Sequence, residues 1–403
     1  MTSTAEIVWT EDGAERRARW HSEAALPAPP RVVVADDRIS ADKAYRLACE
    51  GTALLWRGDF QNARQLVRAL ATRIDRSTGP GTAKPDAAEF PGAFHRYRMA
   101  RAQRARTLGM LLIPIDAGHA IPLRRAPDVR IACTEAYGNV DAPYVISLRE
   151  LLGVIGAHEW RRKGVDVLGD GVRIHAHYGV FSPMRAEYVE LAARAPLPKA
   201  KLVFDIGTGT GVLAALLARR GIERVIATDV DEAALACARE NLGRLGLLDR
   251  VQVIEADLFP PEAAGCADLI VCNPPWLPGK PTSRLECSIY DPESRMLKGF
   301  LAGLGARLAP GGEGWLILSD FAEHLGLRTR TELEGWFDAC GLKVLGRLEA
   351  RPRHPKVFDV VDALHAARQA EVTSLWRLGA STPVPMRRSG TPSVDAGQPA
   401  PDA

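Results

Sequence analysis

A strand that runs into a glycine-rich turn and then a helix constrains the fold of this chain more than any other feature. The strand is the apolar run Leu202–Ile206, and apolar residues at helical spacing predict the helix over Val212–Arg220. The turn between them, Gly207-Thr-Gly-Thr-Gly211, follows Asp205 and has glycine at every second position. Glycine has no side chain, so such a turn bends tightly and lets a ligand approach the backbone. We therefore predict a ligand-binding strand–turn–helix unit in a parallel α/β sheet.

The spacing of the three glycines excludes two common phosphate-binding motifs. A dinucleotide fingerprint reads Gly-x-Gly-x-x-Gly, and a P-loop ends in Gly-Lys followed by Ser or Thr. Residues 207–211 have neither pattern. A glycine-rich turn is also compatible with a purely structural role, so the strands that follow must decide between the two interpretations.

Acidic residues follow the next two predicted strands. Asp229 comes after the run Val225–Ala227, about twenty residues beyond the glycine turn, and its two carboxylate oxygens could accept both hydroxyls of a ribose. The alternative is an N-cap for the next helix, a role that suits Asp231 better. Asp257 follows the strand Val251–Ile254 and could accept a hydrogen bond from an adenine amino group, or could simply be a turn residue.

The fourth apolar strand, residues 268–272, ends in Asn273-Pro-Pro-Trp276. An amide or aromatic amine is planar and a poor nucleophile. The Asn273 side-chain oxygen and the Pro274 carbonyl could accept its two N–H groups, turn its face toward a reactive group and stabilise the charge that develops. Pro275 lacks an N–H donor, and Trp276 could stack on the planar group. The alternative is ordinary turn chemistry.

Together these motifs resemble the class I S-adenosylmethionine-dependent methyltransferases of the small-domain group. The group includes glutamine methyltransferases acting on release factors and ribosomal protein, and rRNA guanine methyltransferases. The upstream segment Tyr178–Tyr188 is similar to the segment before the core in both. The resemblance implies S-adenosyl-L-methionine as cofactor. It implies catalytic residues Asn273, Pro274, Pro275 and Trp276, cofactor contacts at Asp205, Gly207, Thr208, Gly209, Gly211, Asp229, Asp257 and Asn273, and substrate contacts at Phe181, Arg185 and Trp276.

Three interpretations of the function are open. The first is methylation of a glutamine side chain in a protein of the translation apparatus, which the pattern Pro183-x-Arg185-x-Glu187 favours, although those enzymes usually have Tyr at the position of Trp276. The second is methylation of a base in rRNA or tRNA, favoured by the five arginines between Arg96 and Arg106, among which there is no acidic residue. The third is a non-catalytic adaptor. Such a protein would have no need of the complete segment Asn273-Pro-Pro-Trp276, called the target motif below.

Composition fits a soluble enzyme of the cytoplasm. The net charge of +3 is too small to establish a nucleic-acid partner. The seven cysteines contain no Cys-x-x-Cys pair, which is typical of free thiols rather than zinc ligands or disulfides. His175 and His177 alternate along a predicted strand without further candidate ligands, so we expect no metal site. We see no apolar run near eighteen residues and expect no membrane partner.

The predicted fold class is α/β: a doubly wound, Rossmann-like sheet preceded by a mainly helical N-terminal domain. The resemblance implies seven strands with the last one antiparallel. We predict helices within 41–74, including Ala53–Trp56, and at 94–110, and we predict the last two strands at 342–345 and 357–361. The expected domains are an N-terminal extension (1–38), a helical substrate-recognition domain (39–150), the methyltransferase domain (151–379) and a disordered tail (380–403).

Overall fold

The structure is a computed structural model that describes residues 5–77, 90–167, 169, 171–353, 355–359 and 362–381. Two large sheets, each covered by helices, form the body of the protein. Most of the proline- and glycine-rich segment 77–92 and nearly all of the predicted disordered tail lie outside the described residues.

The C-terminal sheet has seven strands, as predicted. They are β9 (Leu202–Ile206), β10 (Arg224–Asp229), β11 (Val251–Glu255), β12 (Ala267–Cys272), β13 (Leu308–Ser319), β14 (Leu342–Ala350) and β15 (Thr373–Ala380). Their order across the sheet is β11-β10-β9-β12-β13-β15-β14. The pairs among β9 to β13 are parallel, whereas β15 runs antiparallel to both of its neighbours. The strand order reverses beside β9, and ligands of such sheets bind at this switch point.

Helices cover both faces of this sheet. They are α6 (Glu187–Arg194), α7 (Val212–Arg219), α8 (Glu232–Arg244), α9 (Arg295–Arg307), α10 (Phe321–His324), α11 (Arg330–Ala339) and α12 (His365–Ala370). One apolar core joins α6, α7 and α8 to one face, and a second core joins α9 and α11 to the other. The central strands are buried on both faces, which explains why their sequences are continuous apolar runs. The prediction of a doubly wound fold is thus confirmed.

The position of the last strand was predicted wrongly. Residues Pro355–Phe358 form a short 3₁₀ turn, and the strand that completes the sheet is β15, further along the chain. The run at 357–361 is short and apolar, and such a run does not reveal its structure by periodicity. β15 lies between β13 and β14 with nearly all its residues buried, so tertiary pairing rather than local pattern defines it.

The N-terminal domain contains a six-stranded sheet in addition to the predicted helices. Its strands are β1 (Glu6–Glu11), β2 (Ala14–His21), β3 (Arg31–Ala35), β4 (Thr52–Trp56), β5 (Leu111–Ile115) and β6 (Tyr144–Ser147), in the order β1-β2-β6-β5-β4-β3. The helices are α1 (Ala41–Cys49), α2 (Phe60–Ser77), α3 (Phe90–Gly109), α4 (Arg130–Tyr137) and α5 (Leu148–Lys163). Two short strands, β7 (Val165–Asp166) and β8 (Arg173–Ile174), follow as a separate pair.

Three sequence-based expectations for this region need correction. Ala53–Trp56 was predicted as helix but lies in β4, which is buried at every position and therefore shows no alternation of polar and apolar residues. Residues 6–35, predicted as an extension, supply three strands of the sheet. The predicted boundary at residue 150 would also cut α5, whose Leu148, Leu151 and Val154 pack in the core of the N-terminal domain.

Helix α3 joins the two domains. Its Phe90 and Phe94 pack in one apolar cluster with Leu277, Phe321 and Leu364 of the C-terminal domain. This contact places the N-terminal domain directly above the carboxyl ends of the C-terminal strands, where the predicted site lies.

Candidate active site

A single cavity of about 710 Å³ opens at the carboxyl ends of β9, β10 and β12. Most of the residues predicted for the site line it. They are Phe181, Arg185, Gly207, Thr208, Gly209, Asp229, Asp257, Asn273, Pro274, Pro275 and Trp276. The structure thus brings together the glycine turn, the two acidic strand ends, the target motif and the upstream segment.

The glycine turn between β9 and α7 needs its glycines for conformation. Gly207, Gly209 and Gly211 have φ values of 70°, 55° and 79°, a region that residues with a side chain rarely adopt. A Cβ atom at Gly209 would meet no atom within 4 Å, so the space beside this backbone is open to a ligand. A Cβ atom at Gly211 would lie 3.2 Å from Ala238, so this glycine allows α8 to pack closely instead.

Asp205 supports the turn from behind and does not line the cavity. Its side chain is 1% exposed, and its Oδ2 accepts hydrogen bonds from Thr208 Oγ1 at 2.6 Å and from the Ala214 amide at 3.1 Å. Burial raises the pKa of its carboxyl group to about 6, because the charged form is desolvated. Asp205 and Gly211 were both predicted to contact the cofactor, and the structure gives both a supporting position instead.

Asp229 at the end of β10 faces the cavity, and its carboxylate can accept more hydrogen bonds than the protein provides. Its Oδ2 accepts from the Gly209 amide and its Oδ1 from the Asp231 amide, both at 3.0 Å. Each carboxylate oxygen can accept a second bond, so both remain able to bind ribose hydroxyls. Burial raises the pKa of Asp229, although these backbone donors favour the charged form. Asp231 caps α8 through the Ala233 amide, as expected.

Asp257 lies at the rim of the cavity. Its side chain is exposed and pairs with Arg295, whose Nη2 lies 2.7 Å from Asp257 Oδ2. A carboxylate with one strong partner still has free lone pairs, so an adenine amino group could share it.

The target motif is held by a contact within itself. The Trp276 indole N–H donates to Asn273 Oδ1 at 2.9 Å. This bond fixes the orientation of the Asn273 amide, because the oxygen must point toward the indole, and it leaves one lone pair of that oxygen for another donor. Asn273 follows β12, which is buried and central in the sheet, so a rigid element positions the motif.

Arg185, predicted to bind substrate, lines the cavity but is anchored inside the protein. It donates to Glu187 Oε1 and to Glu371 Oε1, both at 2.8 Å, and its guanidinium lies 4.9 Å from the centre of the Trp276 ring. Burial lowers the pKa of Arg185, but the charges and hydrogen bonds of Glu371 and Glu187 more than offset this and raise it. Glu371 was not found by sequence reasoning, because it lies 186 residues away from Arg185 in no recognisable motif.

The far wall of the cavity comes from two segments that sequence reasoning did not assign to the site. Phe94, Tyr97 and Arg101 project from α3 of the N-terminal domain. The loop after the target motif returns to Tyr290, which is bridged to Leu277. The arginine run had marked α3 as interesting, but no sequence signal placed the helix at the cavity.

Three arginines, Arg101, Arg104 and Arg149, interact near this wall. Desolvation by burial is the largest cause of a lowered pKa at Arg149. The like charges of Arg101 and Arg104 lower this pKa further. Arg104 is paired with Asp75 at 2.8 Å, and Arg101 donates to the Tyr97 hydroxyl. Within the described parts of the chain, neither Arg101 nor Arg149 forms an ion pair with a carboxylate.

The described residues contain neither a metal-binding cluster nor a membrane-spanning helix. Across the described residues, no group of three or more His, Cys, Asp or Glu side chains is arranged to hold a metal ion. His177, one of the two alternating histidines, pairs with Glu240 at 2.6 Å. In the same part of the chain, no helix combines the length and the apolar character needed to cross a bilayer.

Comparison with known proteins matches the part of the chain that contains the site to one family. Residues 171–342 match the sequence model of the family described as "Methyltransferase small domain". They include the glycine turn, both acidic strand ends and the target motif. Residues 171–342 are thus similar to a methyltransferase small domain.

Curated relatives of the methyltransferase domain act on different acceptors. The tRNA1(Val) (adenine(37)-N6)-methyltransferase of Shewanella loihica is 33% identical over 153 residues, which cover 36% of this chain and 61% of that protein. The release factor glutamine methyltransferase of Cereibacter sphaeroides is 41% identical over 115 residues, which cover 28% and 37%. The ribosomal protein L11 methyltransferase of Pelotomaculum thermopropionicum is 45% identical over 71 residues, which cover 18% and 23%. The chain thus spans less than two thirds of each of these relatives.

The cavity of the methyltransferase domain suits S-adenosylmethionine, the cofactor of this family. The open backbone at Gly209 leaves room for the cofactor beside the turn, and Asp229 has acceptors for a ribose. Asn273 lies in the wall of the same cavity, so cofactor and target can meet there.

Proposed function

We propose that this protein is an S-adenosylmethionine-dependent N-methyltransferase whose acceptor is a planar amino or amide nitrogen. The observation that carries the proposal is the Asn273 side-chain oxygen, which Trp276 holds in place in the wall of the cofactor cavity. An oriented acceptor at this place has a purpose in methyl transfer to nitrogen, because it can fix an N–H group beside the cofactor.

The residues of the cavity divide the work of the reaction. Bound S-adenosylmethionine supplies a methyl group on positively charged sulfur. Asn273 Oδ1 and the Pro274 carbonyl accept the two N–H groups of the target, which turns the face of the nitrogen toward that methyl group. These oxygens also stabilise the positive charge that develops on nitrogen as the new N–C bond forms and the S–C bond breaks. The acidified N–H then loses its proton to water.

The charges at the cavity favour a nucleic-acid acceptor over a protein. Arg101 of α3 lines the cavity and Arg149 belongs to α5. Neither forms an ion pair with a carboxylate among the described residues, although the charges of Glu150 and Glu286 favour the charged form of Arg149. A phosphate group binds favourably to arginine side chains that have no carboxylate partner. We therefore propose that the acceptor is an exocyclic amine of a base in structured RNA and that the N-terminal domain binds the RNA backbone.

A glutamine side chain is the second candidate. The Asn-Pro-Pro-aromatic motif and the similarity to release factor glutamine methyltransferases support it. The support from the Pro183-x-Arg185-x-Glu187 pattern is weaker than expected, because Arg185 and Glu187 pair with each other inside the protein. Either acceptor belongs to the translation apparatus, which would place the protein in the cytoplasm.

Transfer of a tritiated methyl group from the cofactor tests both candidates. Purified protein is incubated with total tRNA, with ribosomal RNA, and with a fraction of ribosomal proteins and release factors, followed by ribonuclease or protease. We expect label that ribonuclease releases. Label released only by protease would reject the RNA acceptor in favour of glutamine. Cofactor binding without transfer to any fraction would favour the adaptor. Asn273→Ala is the control for transfer at this site.

A further inference from the structure

The Arg185 guanidinium connects the target motif to a carboxylate from the end of the chain. One nitrogen of the guanidinium donates to Glu187 and another to Glu371, and its Cζ lies 4.9 Å from the centre of the Trp276 ring. A planar guanidinium fixed by two carboxylates has little rotamer freedom left. The ring of Trp276 therefore rests against a cation whose position is set elsewhere.

Glu371 is a fixed partner because it is completely buried. Its side chain has 0% exposure, and its Oε1 also accepts from Ser319 Oγ at 2.7 Å. Ser319 ends β13, and Glu371 lies two residues before β15, so the sheet sets the position of this carboxylate. Glu371 lies beyond residues 171–342, the part of the chain that matches the family model.

Trp276 connects Arg185 to Asn273, whose side-chain oxygen is predicted to accept a hydrogen bond from the target nitrogen. Its indole N–H donates to Asn273 Oδ1, so the rotamer of the indole determines where that oxygen points. Contact with the Arg185 cation favours one placement of the indole ring, because the ring face carries partial negative charge. Three successive contacts thus lead from Glu371 to Asn273.

We propose that Glu371 and Arg185 are positioning residues that hold Trp276 and thereby orient Asn273 toward the nitrogen to be methylated. This inference rests on the proposed function, since it assigns the orientation of Asn273 a role in methyl transfer. Neither residue needs to touch the acceptor. A reacting group displaced by about 1 Å costs roughly 100-fold in rate, so loss of the contact should act on turnover rather than on cofactor affinity.

The position of Trp276 can be measured without any acceptor. All eight tryptophans are replaced by 5-fluorotryptophan, and the ¹⁹F signal of Trp276 is identified by its absence in Trp276→Phe. We expect Glu371→Gln to shift or broaden this signal, because the neutral amide no longer holds the Arg185 charge. Arg185→Lys should do the same, since an ammonium group lacks the planar fork. If Glu371→Gln does not fold, Arg185→Lys alone provides the test.

A matched control is available in the same sheet. Glu313 pairs with Arg377 through two contacts of 2.6 and 2.8 Å and accepts from the indole N–H of Trp315. Glu313→Gln should therefore disturb the Trp315 signal and leave that of Trp276 in place. A Trp276 signal unchanged in both Glu371→Gln and Arg185→Lys would overturn the proposal.

Turnover gives the second readout, with total tRNA as acceptor. Glu371→Gln should lower kcat by roughly 10- to 100-fold while leaving the Kd of the cofactor unchanged. In the Trp276→Phe background, which lacks the indole N–H, the same substitution should have little further effect. Full additivity of the two changes would contradict the connection through Trp276. Failure of the proposed function would instead appear as no methyl transfer in the unmodified protein, which leaves the ¹⁹F result interpretable.

Discussion

The guanidinium of Arg98 lies 4.1 Å from the ring centre of Tyr290. Arg98 belongs to α3 of the N-terminal domain, and Tyr290 closes the loop that follows the target motif. The same guanidinium donates to the Lys280 carbonyl at 2.6 Å and lies 3.6 Å from Glu286. At its other side, the loop is tied to the cofactor region by the ion pair of Arg284 with Asp231. The loop is thus tied to α3 of the N-terminal domain and to the N-cap of α8.

The first prediction concerns this fastening. Arg98→Ala should loosen the loop at a cost of about 1–2 kcal/mol, the range for a partly desolvated cation on an aromatic ring. Hydrogen exchange at the Leu277 and Asp291 amides, which close the loop, should then accelerate roughly 5- to 30-fold. Tyr290→Phe keeps the ring and should change little. Exchange that stays equally slow in Arg98→Ala would show that Arg98 does not hold the loop.

The second prediction concerns cofactor affinity. Asp229→Ala removes a charged acceptor from the cavity, and a hydrogen bond to such a group contributes about 1.5–3 kcal/mol. The Kd of S-adenosylmethionine should therefore rise roughly 10- to 100-fold, as measured by calorimetry on the folded variant. Asp249→Ala changes an exposed aspartate in the loop before β11 and serves as the control. Equal affinity in both variants would refute the ribose-binding role of Asp229.

The third prediction separates chemistry from binding. Asn273→Ala should lower turnover by roughly 10²–10³-fold, as expected when one preorganised polar contact to a transition state is lost. The Kd of the cofactor should stay nearly the same, since Asp229 and the glycine turn remain. Single-turnover kinetics with tritiated cofactor measure both quantities. Normal turnover in this variant would show that Asn273 does not orient the target.

The fourth prediction follows from the buried carboxyl group of Asp205. Its pKa of about 6 in the folded protein exceeds the ordinary value of 3.8, so the folded state binds the proton more tightly than the unfolded state. This group therefore destabilises the protein above pH 6, and the cost disappears as the pH falls through 6 toward 4. Relative to Asp205→Asn, the unmodified protein should gain about 2.5 kcal/mol between pH 8 and pH 4.

Urea unfolding at a series of pH values measures this difference. The asparagine variant can keep the Thr208 and Ala214 hydrogen bonds, because both end on one oxygen of Asp205. The contributions of other titrating groups to the free energy of unfolding cancel when the two proteins are compared. A stability difference that does not vary with pH would mean that Asp205 titrates normally.

The fifth prediction tests the acceptor class through salt dependence. Reversing Arg101 and Arg149 to glutamate should weaken binding of ribosomal RNA and reduce the slope of log affinity against log salt. Each lost phosphate contact lowers that slope by about 0.7–0.9. Arg98 and Arg104 are unsuitable for this test, because they hold Tyr290 and Asp75 within the protein.

Arg38→Glu together with Arg46→Glu provides the matched control. Both arginines are exposed in the N-terminal domain and neither lines the cavity, while the change in charge is the same. Equal slopes for the two double variants would assign RNA binding to net charge alone. No binding by the unmodified protein at low salt would remove the RNA acceptor.

Several parts of the site were predictable because local sequence defines them. The glycine turn needs positive φ at three positions, and only glycine adopts that conformation freely. Asp229 and Asn273 follow strands that read as buried apolar runs, and in a parallel sheet the ends of such strands meet at one edge. The strands that carry these residues and the cavity wall that they form follow from these local patterns.

The sequence alone thus determined the strands β9 to β12, the switch point beside β9 and the chemistry along it, because each of these depends on residues close together in the chain, whereas the pairing of β15 with β13 and β14 was visible only in the structure. Only the tertiary structure decided which partners complete the site. Glu371 reaches Arg185 across 186 residues, and α3 of the N-terminal domain supplies Phe94, Tyr97 and Arg101 to the far wall. Only the structure also showed that Asp205 lies behind the turn rather than in the cavity. Such contacts arise from packing between elements with no common period or spacing, so no local pattern encodes them.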